Sequence, residues 1–214
     1  VLERLFGNSR LRVYIVSLAL CGLLLNASAW AADSNPADQS ELASVDAQLA
    51  KSPHDVDLQV KRAEALGRLG RYEEEVQQAN ALLKQNPSFR NGYLLQEHAF
   101  LRQKKYQQAL SALDNSFLYG APTSTELVVK ANLLIENKQV DQALILINKV
   151  ISADPANAKA YICRADCYYH LYGACQKCLD DLEKSLSLDP TPVKAHQLIK
   201  EIRRQLSTSP KATQ

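Results

Sequence analysis

The chain has 214 residues, of which 46% are hydrophobic and 22% charged, with 7 Gly, one Trp and no Met. Its formal net charge of +2 comes from its first segment: Arg4, Arg10, Arg12 and Glu3 fall within residues 1–31, and the remainder is formally neutral. That balance excludes the basic footprint of a nucleic-acid binder, and no zinc-finger or RNA-binding sheet signature is present.

Residues 1–31 read as a secretory signal. A basic lead precedes an apolar run from Val13 to Leu25, and Asn26-Ala27-Ser28-Ala29-Trp30-Ala31 offers small-residue cleavage sites after Ala29 and Ala31. The rival reading is an uncleaved anchor, because residues 11–31 are long enough to span a bilayer. A lipidated Cys21 is a third reading, weakened by Leu20 standing where the lipoprotein box wants a small residue. An exported chain, in a bacterial periplasm or cell envelope, is the expectation. Membrane contact is expected only if the leader is retained.

A polar linker is expected over 32–40, followed by a helix within 41–55 that carries Leu42, Val45 and Leu49 on one stripe. Paired helices then follow: Asp57 to Leu69 with Glu73 to Gln85, Tyr93 to Gln103 with Gln107 to Leu118, Thr125 to Asn137 with Asp141 to Ser152, and Lys159 to Tyr172 with Gln176 to Leu188. A last helix is expected over 192–206, and the polar tail 207–214 is expected to be disordered. Joints of two to five residues suit antiparallel hairpins.

A period of 34 residues runs through these pairs. Pro53, Pro87 and Pro155 keep it, with Ala121-Pro122 at the missing beat; Tyr72, Tyr106 and Val140 keep it too, as do Val76, Leu110 and Leu144. A fixed period of this size means a solenoid whose units bury their apolar faces on each other. The units run 56–89, 90–123, 124–157 and 158–191, the last with one extra residue near Tyr172-Gly173.

These units resemble the tetratricopeptide repeat family. Its pattern of small residues at the eighth and twentieth positions, an aromatic near the seventeenth and a closing proline is met by Ala63, Gly70, Tyr72 and Pro87 in the first unit. The second has Tyr93, Tyr106 and Ala109, the third Ala131, Val140, Ala143 and Pro155, and the fourth Tyr161, Ala165, Cys178 and Pro190. Glu75 and Glu97 depart from it, standing where small residues are usual. The resemblance implies an all-α, right-handed α-solenoid of antiparallel helix hairpins that binds another protein or peptide in a concave groove, without catalysis or cofactor. It implies groove residues on the first helices of the units: Leu94, His98, Leu101 and Arg102, then Val128, Asn132 and Ile135, then Ile162, Asp166 and Tyr169. Such a mixed apolar stripe suits an extended peptide or a helix. Family members that clamp a terminal carboxylate use Lys, Asn and Arg; Val60 and Glu64 stand in two of those places, against that specificity. The resemblance also extends to exported envelope proteins, including factors in secretion and pilus-like assembly. A self-associating structural subunit is the alternative.

Beyond Cys21, the cysteines cluster at Cys163, Cys167, Cys175 and Cys178. In an antiparallel hairpin the nested pairings are Cys167 with Cys175 and Cys163 with Cys178, and export would let such disulfides persist. Buried reduced thiols are the competing reading, and a four-thiol metal site a weaker one. Cys175-Gln176-Lys177-Cys178 has redox-pair spacing at a helix start but lacks the preceding strand and sheet of a thioredoxin-like site. No catalytic residue or metal ligand set is expected. Glu97-His98 reads as a surface pair and Glu73-Glu74-Glu75 as helix-start charges, and there is no phosphate loop or nucleophile elbow.

Overall fold

The computed structural model describes residues 35–208, and the leader, Cys21, residues 32–34 of the expected linker and the end of the tail lie outside them. Every described regular element is an α-helix: α1 (Pro36–Leu49), α2 (Val56–Arg68), α3 (Tyr72–Gln85), α4 (Arg90–Arg102), α5 (Tyr106–Phe117), α6 (Ser124–Glu136), α7 (Val140–Ala153), α8 (Ala158–Tyr172), α9 (Gln176–Leu188) and α10 (Val193–Thr208). No described helix is long and apolar enough to cross a membrane. The chain divides into two compact units between Arg71 and Tyr72.

In the first unit, α1 pairs with α2. Residues 36–40, expected in a linker, are helical. Asn35 is the N-cap, its Oδ1 accepting from the Ala37 N–H at 3.1 Å, and Pro36 stands at the start of the helix, where a missing N–H costs nothing. Arg68 then holds the first turn of α1 through Asp38 at 2.9 Å. Leu42, Ala65 and Leu66 form the small core of this unit.

The second unit is a solenoid of antiparallel helices in which α3 packs on α4, the hairpins α4–α5, α6–α7 and α8–α9 follow, and α10 packs on α9. Its largest core cluster includes Leu113, Ala131, Leu134, Ala143, Ile147, Cys163 and Cys167. A second gathers Ala165, Cys178, Leu182, Ala195, Ile199 and Ile202. Leu113, Leu133, Ile147, Leu182 and Ile202 are among the side chains under 2% exposed, and each contributes about 1.5–3 kcal/mol of apolar burial.

Three bonding patterns recur at the 34-residue pitch. First, three turns between helices place one residue in the left-handed region: Gly70 at φ 72°, Lys104 at 59° and Lys138 at 64°. The next N–H of each turn reaches back to close the helix, Lys105 to the Phe100 carbonyl and Gln139 to the Leu134 carbonyl, both at 2.8 Å. Second, a side chain near the start of an incoming helix donates to the proline carbonyl six residues earlier: Gln59 to Pro53, Tyr93 to Pro87, Tyr161 to Pro155 and His196 to Pro190. The prolines thus stop one helix and anchor the next. Third, the seventh residue of a repeat reaches a polar side chain sixteen residues back: Arg62 to Asp46, Gln96 to Asn80, Lys130 to Asp114 and Arg164 to Asn148.

Candidate functional site

The expected groove residues fall into three classes. His98, Arg102 and Asn132 are exposed, and Leu94, Leu101, Ile162, Asp166 and Tyr169 are half-buried. Val128 and Ile135 are 5% and 4% exposed and belong to the core cluster, so they line no groove. They sit on the side of α6 that packs among α5, α7 and α8, where helix neighbours rather than solvent cover them. Two half-buried positions are already engaged on the α10 side: Lys194 pairs with Asp166, and Gln205 Nε2 donates to Tyr169 Oη at 3.0 Å. His98, Asn132 and Asp166 share one repeat position on α4, α6 and α8.

His98 leads into a polar cluster that the sequence reading missed. Its Nδ1 lies 2.8 Å from Glu75 Oε1, joining α4 to α3. Glu75 lies in the first turn of α3 as expected but is 1% exposed, so it is a buried carboxylate and not a solvated charge, and Glu97-His98 is correspondingly no simple surface pair. Glu75 Oε2 and Glu97 Oε1 are both buried without a hydrogen-bond partner. Burial pushes the Glu97 carboxyl up from 4.5 to about 7; His98 opposes this, and the charges of Glu75 and Glu126 add to it. The hydrogen bond to Glu75 raises His98, against the opposing effect of burial. The Tyr72 ring meets His98 edge-on at 6.4 Å, and Arg102 Nε donates to Tyr72 Oη at 3.3 Å.

A second ion pair lies beside this cluster. Arg90 donates from Nη2 to both Glu126 oxygens, at 2.8 and 2.7 Å. Glu126 also closes a capping box with Thr123 at the start of α6. Burial is the largest single influence on Glu126 and pushes it up, but Thr123 and Arg90 together hold it below its ordinary value. Gly120 makes room for Arg90: a Cβ there would sit 2.9 Å from the arginine side chain. The only sequence signal for the acid cluster was that Glu75 and Glu97 occupy small-residue repeat positions.

The expected nested disulfides do not form. The sulfurs of Cys175 and Cys178 meet each other, with Cα atoms 5.4 Å apart, while Cys163 and Cys167 are free and buried. The physical reason is packing: Cys163 and Cys167 lie in the core cluster built with α6 and α7, whereas Cys175 and Cys178 pack in the cluster shared with α10. Among the described residues, no group of three or more His, Cys, Asp or Glu is placed to hold a metal ion.

No known protein-family profile matches the chain. Two curated relatives are similar over about half of it: the Hsp70-Hsp90 organizing protein of Triticum aestivum, 30% identical over 95 residues, and sperm-associated antigen 1 of Mus musculus, 31% identical over 104 residues. These matches cover 44% and 49% of this chain but only 16% and 10% of the relatives. Among solved structures, a thermophilic TPR protein of Thermus thermophilus superposes with a TM-score of 0.63 at 14% identity, covering 86% of this chain and 96% of that one. MamA from Desulfovibrio magneticus superposes with a TM-score of 0.61 at 21% identity, covering 71% and 85%. The fold is therefore an all-α, tetratricopeptide-like solenoid of paired antiparallel helices, a class that typically lacks catalytic activity.

Proposed function

We propose that the chain is a non-enzymatic adaptor that binds a protein or peptide along α4, α6 and α8. The observation that carries this is the recurrence of polar side chains at one repeat position, exposed His98 and Asn132 and half-buried Asp166, beside half-buried Leu94, Leu101 and Ile162. Such a strip supplies apolar anchors with polar margins, as recognition of an extended segment or helix requires. Solenoids of this kind generally bind other proteins. The proposed setting is the cell envelope, in assembly of a secretion or pilus-like machine. It is supported by the basic lead, apolar run and small-residue sites of residues 1–31.

A photocrosslinker tests the face. Placed at Asn132, it should capture a distinct partner in stoichiometric yield from an envelope fraction. Placed at Ile145 on α7, which is 60% exposed, it should not. Capture from Ile145 alone would move the partner to the second helices, and a homomer alone would make the chain a self-associating structural subunit. N-terminal sequencing of the exported protein tests the leader, with Trp30 or Ala32 expected first.

A further inference from the structure

The four described cysteines form two chemically different pairs. Cys163 and Cys167 lie four apart on α8, 1% and 0% exposed. The neighbouring Cys167 and burial push the Cys163 thiol up, and the same coupling lowers Cys167, so what keeps external thiols from both is their burial. Cys175 and Cys178 stand at the opening of α9, where Cys175 is the N-cap residue and half-buried, and Cys178 is 0% exposed. Their sulfurs are already in contact.

A structural staple accounts poorly for this second pair. The bridge joins residues three apart, within one end of one helix, and ties α9 to nothing else. A cross-link that closes so short a loop restrains the unfolded chain least. The surroundings instead favour exchange. No side chain caps the first turn of α9, and that turn holds no acidic residue. Its N–H groups and the positive end of the helix therefore favour a thiolate there. Lys177, between the two cysteines, adds a cation to the same turn. When reduced, Cys178 has a hydrogen-bond acceptor at hand, the Gly173 carbonyl 3.6 Å from its sulfur.

We propose that Cys175–Cys178 is an exchangeable disulfide that trades two electrons with an external thiol, Cys175 being the sulfur attacked. The partner's thiolate attacks Cys175 Sγ and a mixed disulfide forms. The Cys175–Cys178 bond breaks, and Cys178 leaves with the electron pair as a thiolate that takes a proton from water. A second partner thiolate then attacks the partner sulfur of the mixed disulfide, and Cys175 leaves as a thiolate that is protonated in turn. The partner departs as a disulfide and the pair remains as two thiols; the reverse sequence oxidises a partner dithiol. Half-exposed Cys175 offers the accessible sulfur, and fully buried Cys178 the protected leaving group. Glutathione and a protein dithiol are two sources of the same chemistry. The proposal is independent of the binding face on α4, α6 and α8.

The test uses the full chain, with reduced glutathione in one arm and a reduced thioredoxin in the other, followed by rapid alkylation and peptide mapping. In native protein, Cys175 should become alkylated as the bridge opens, while buried Cys163 and Cys167 stay unlabelled until the chain is denatured. In Cys178→Ser mixed with oxidised glutathione, the Cys175 thiolate should displace one glutathione thiol and be trapped as a mixed disulfide at least about tenfold faster than Cys178 is in Cys175→Ser. Opening by both reagents assigns the pair to small thiols, and opening by thioredoxin alone assigns it to a protein partner. A bridge that neither reagent opens, or trapping at Cys178 as fast as at Cys175, overturns the proposal. If a variant loses its helical circular dichroism, the labelling order of the unmodified chain decides alone: Cys163 or Cys167 reacting as early as Cys175 also overturns it.

Discussion

The α3–α4 junction and the α6–α7 hairpin use equivalent repeat positions in opposite ways. Glu97 and Ala131 are 34 residues apart, and Glu75 and Ala143 are two such pitches apart. In the hairpin, Ala131 and Ala143 are both 0% exposed and sit in an apolar cluster with Leu134 and Ile147. At the junction, the same positions carry two carboxylates, each with one buried oxygen that has no partner. The backbone tolerates both fillings, because α4 and α6 share their length and the same turn geometry. What differs is energetic: the hairpin is dry and close-packed, whereas the junction holds buried acid against a single imidazole. The 34-residue pitch therefore dictates where helices lie and leaves the chemistry of the interface open.

Moving acid into the dry hairpin gives the largest expected effect. Ala131→Glu should destabilise by about 3–5 kcal/mol at pH 8, combining overpacking with an unpaired buried carboxylate. Denaturant melts measure it. A cost below about 1 kcal/mol would mean that the hairpin accommodates charge as the junction does, and the contrast would vanish.

Removing acid from the junction should act in the other direction. Glu97 is raised from 4.5 to about 7, so the folded chain holds this proton more tightly than the unfolded chain. The associated stability is complete below about 4.5 and is lost as pH rises through about 7, a change of about 3 kcal/mol. Glu97→Gln should thus stabilise the protein by about 2–3 kcal/mol at pH 8 and have little effect at pH 4. Melts at the two pH values read it directly, and a pH-independent difference would show that Glu97 is not desolvated.

Among the described residues the Glu75 carboxylate is hydrogen-bonded to His98 alone, so His98→Ala should cost about 1–2 kcal/mol near pH 6. Its folded-state value is raised by Glu75, so its contribution is fully present below 6.5 and is lost as pH rises through that raised value. The cost should shrink by pH 9 but not disappear, since a neutral imidazole still donates from Nδ1. The imidazole is half exposed, so solvent screening keeps the pH-dependent part below about 1 kcal/mol. Stability curves of the variant against the parent, taken across that range, check the sign.

The helices and their pairing were legible in the sequence because proline, tyrosine and small residues repeat at one pitch, and periodicity needs no knowledge of contacts. The start of α1 was missed although Asn35-Pro36 is a helix-start signal, because the polar composition of 32–40 outweighed it. Val128 and Ile135 were misread because repeat positions give the side of a helix, not whether a neighbouring helix covers it. Glu75 and His98 are 23 residues apart and meet only once α3 and α4 are packed. The disulfide was misassigned because nesting assumes that both helices turn their cysteines toward one another, whereas the two pairs occupy different core clusters.

The turns provide the converse of the charge contrast, a feature that both regions share. Lys104 and Lys138 each occupy a left-handed backbone position, at φ 59° and 64°, in the turns after α4 and α6. A side chain there brings Cβ against the following carbonyl, at a cost of about 1–2 kcal/mol, and glycine has no Cβ. Part of that gain is offset because glycine makes the unfolded chain more mobile. Lys104→Gly and Lys138→Gly should therefore each stabilise by about 0.5–1 kcal/mol, and by nearly the same amount. The gain should not change between pH 5 and pH 8, because the strain lies in the backbone and not in a titrating group. Denaturant melts of both variants at both pH values test this. Equal, pH-independent gains would mean that the two regions differ in buried side-chain chemistry alone. Unequal gains would show that the acid at the junction also distorts the turn that follows α4.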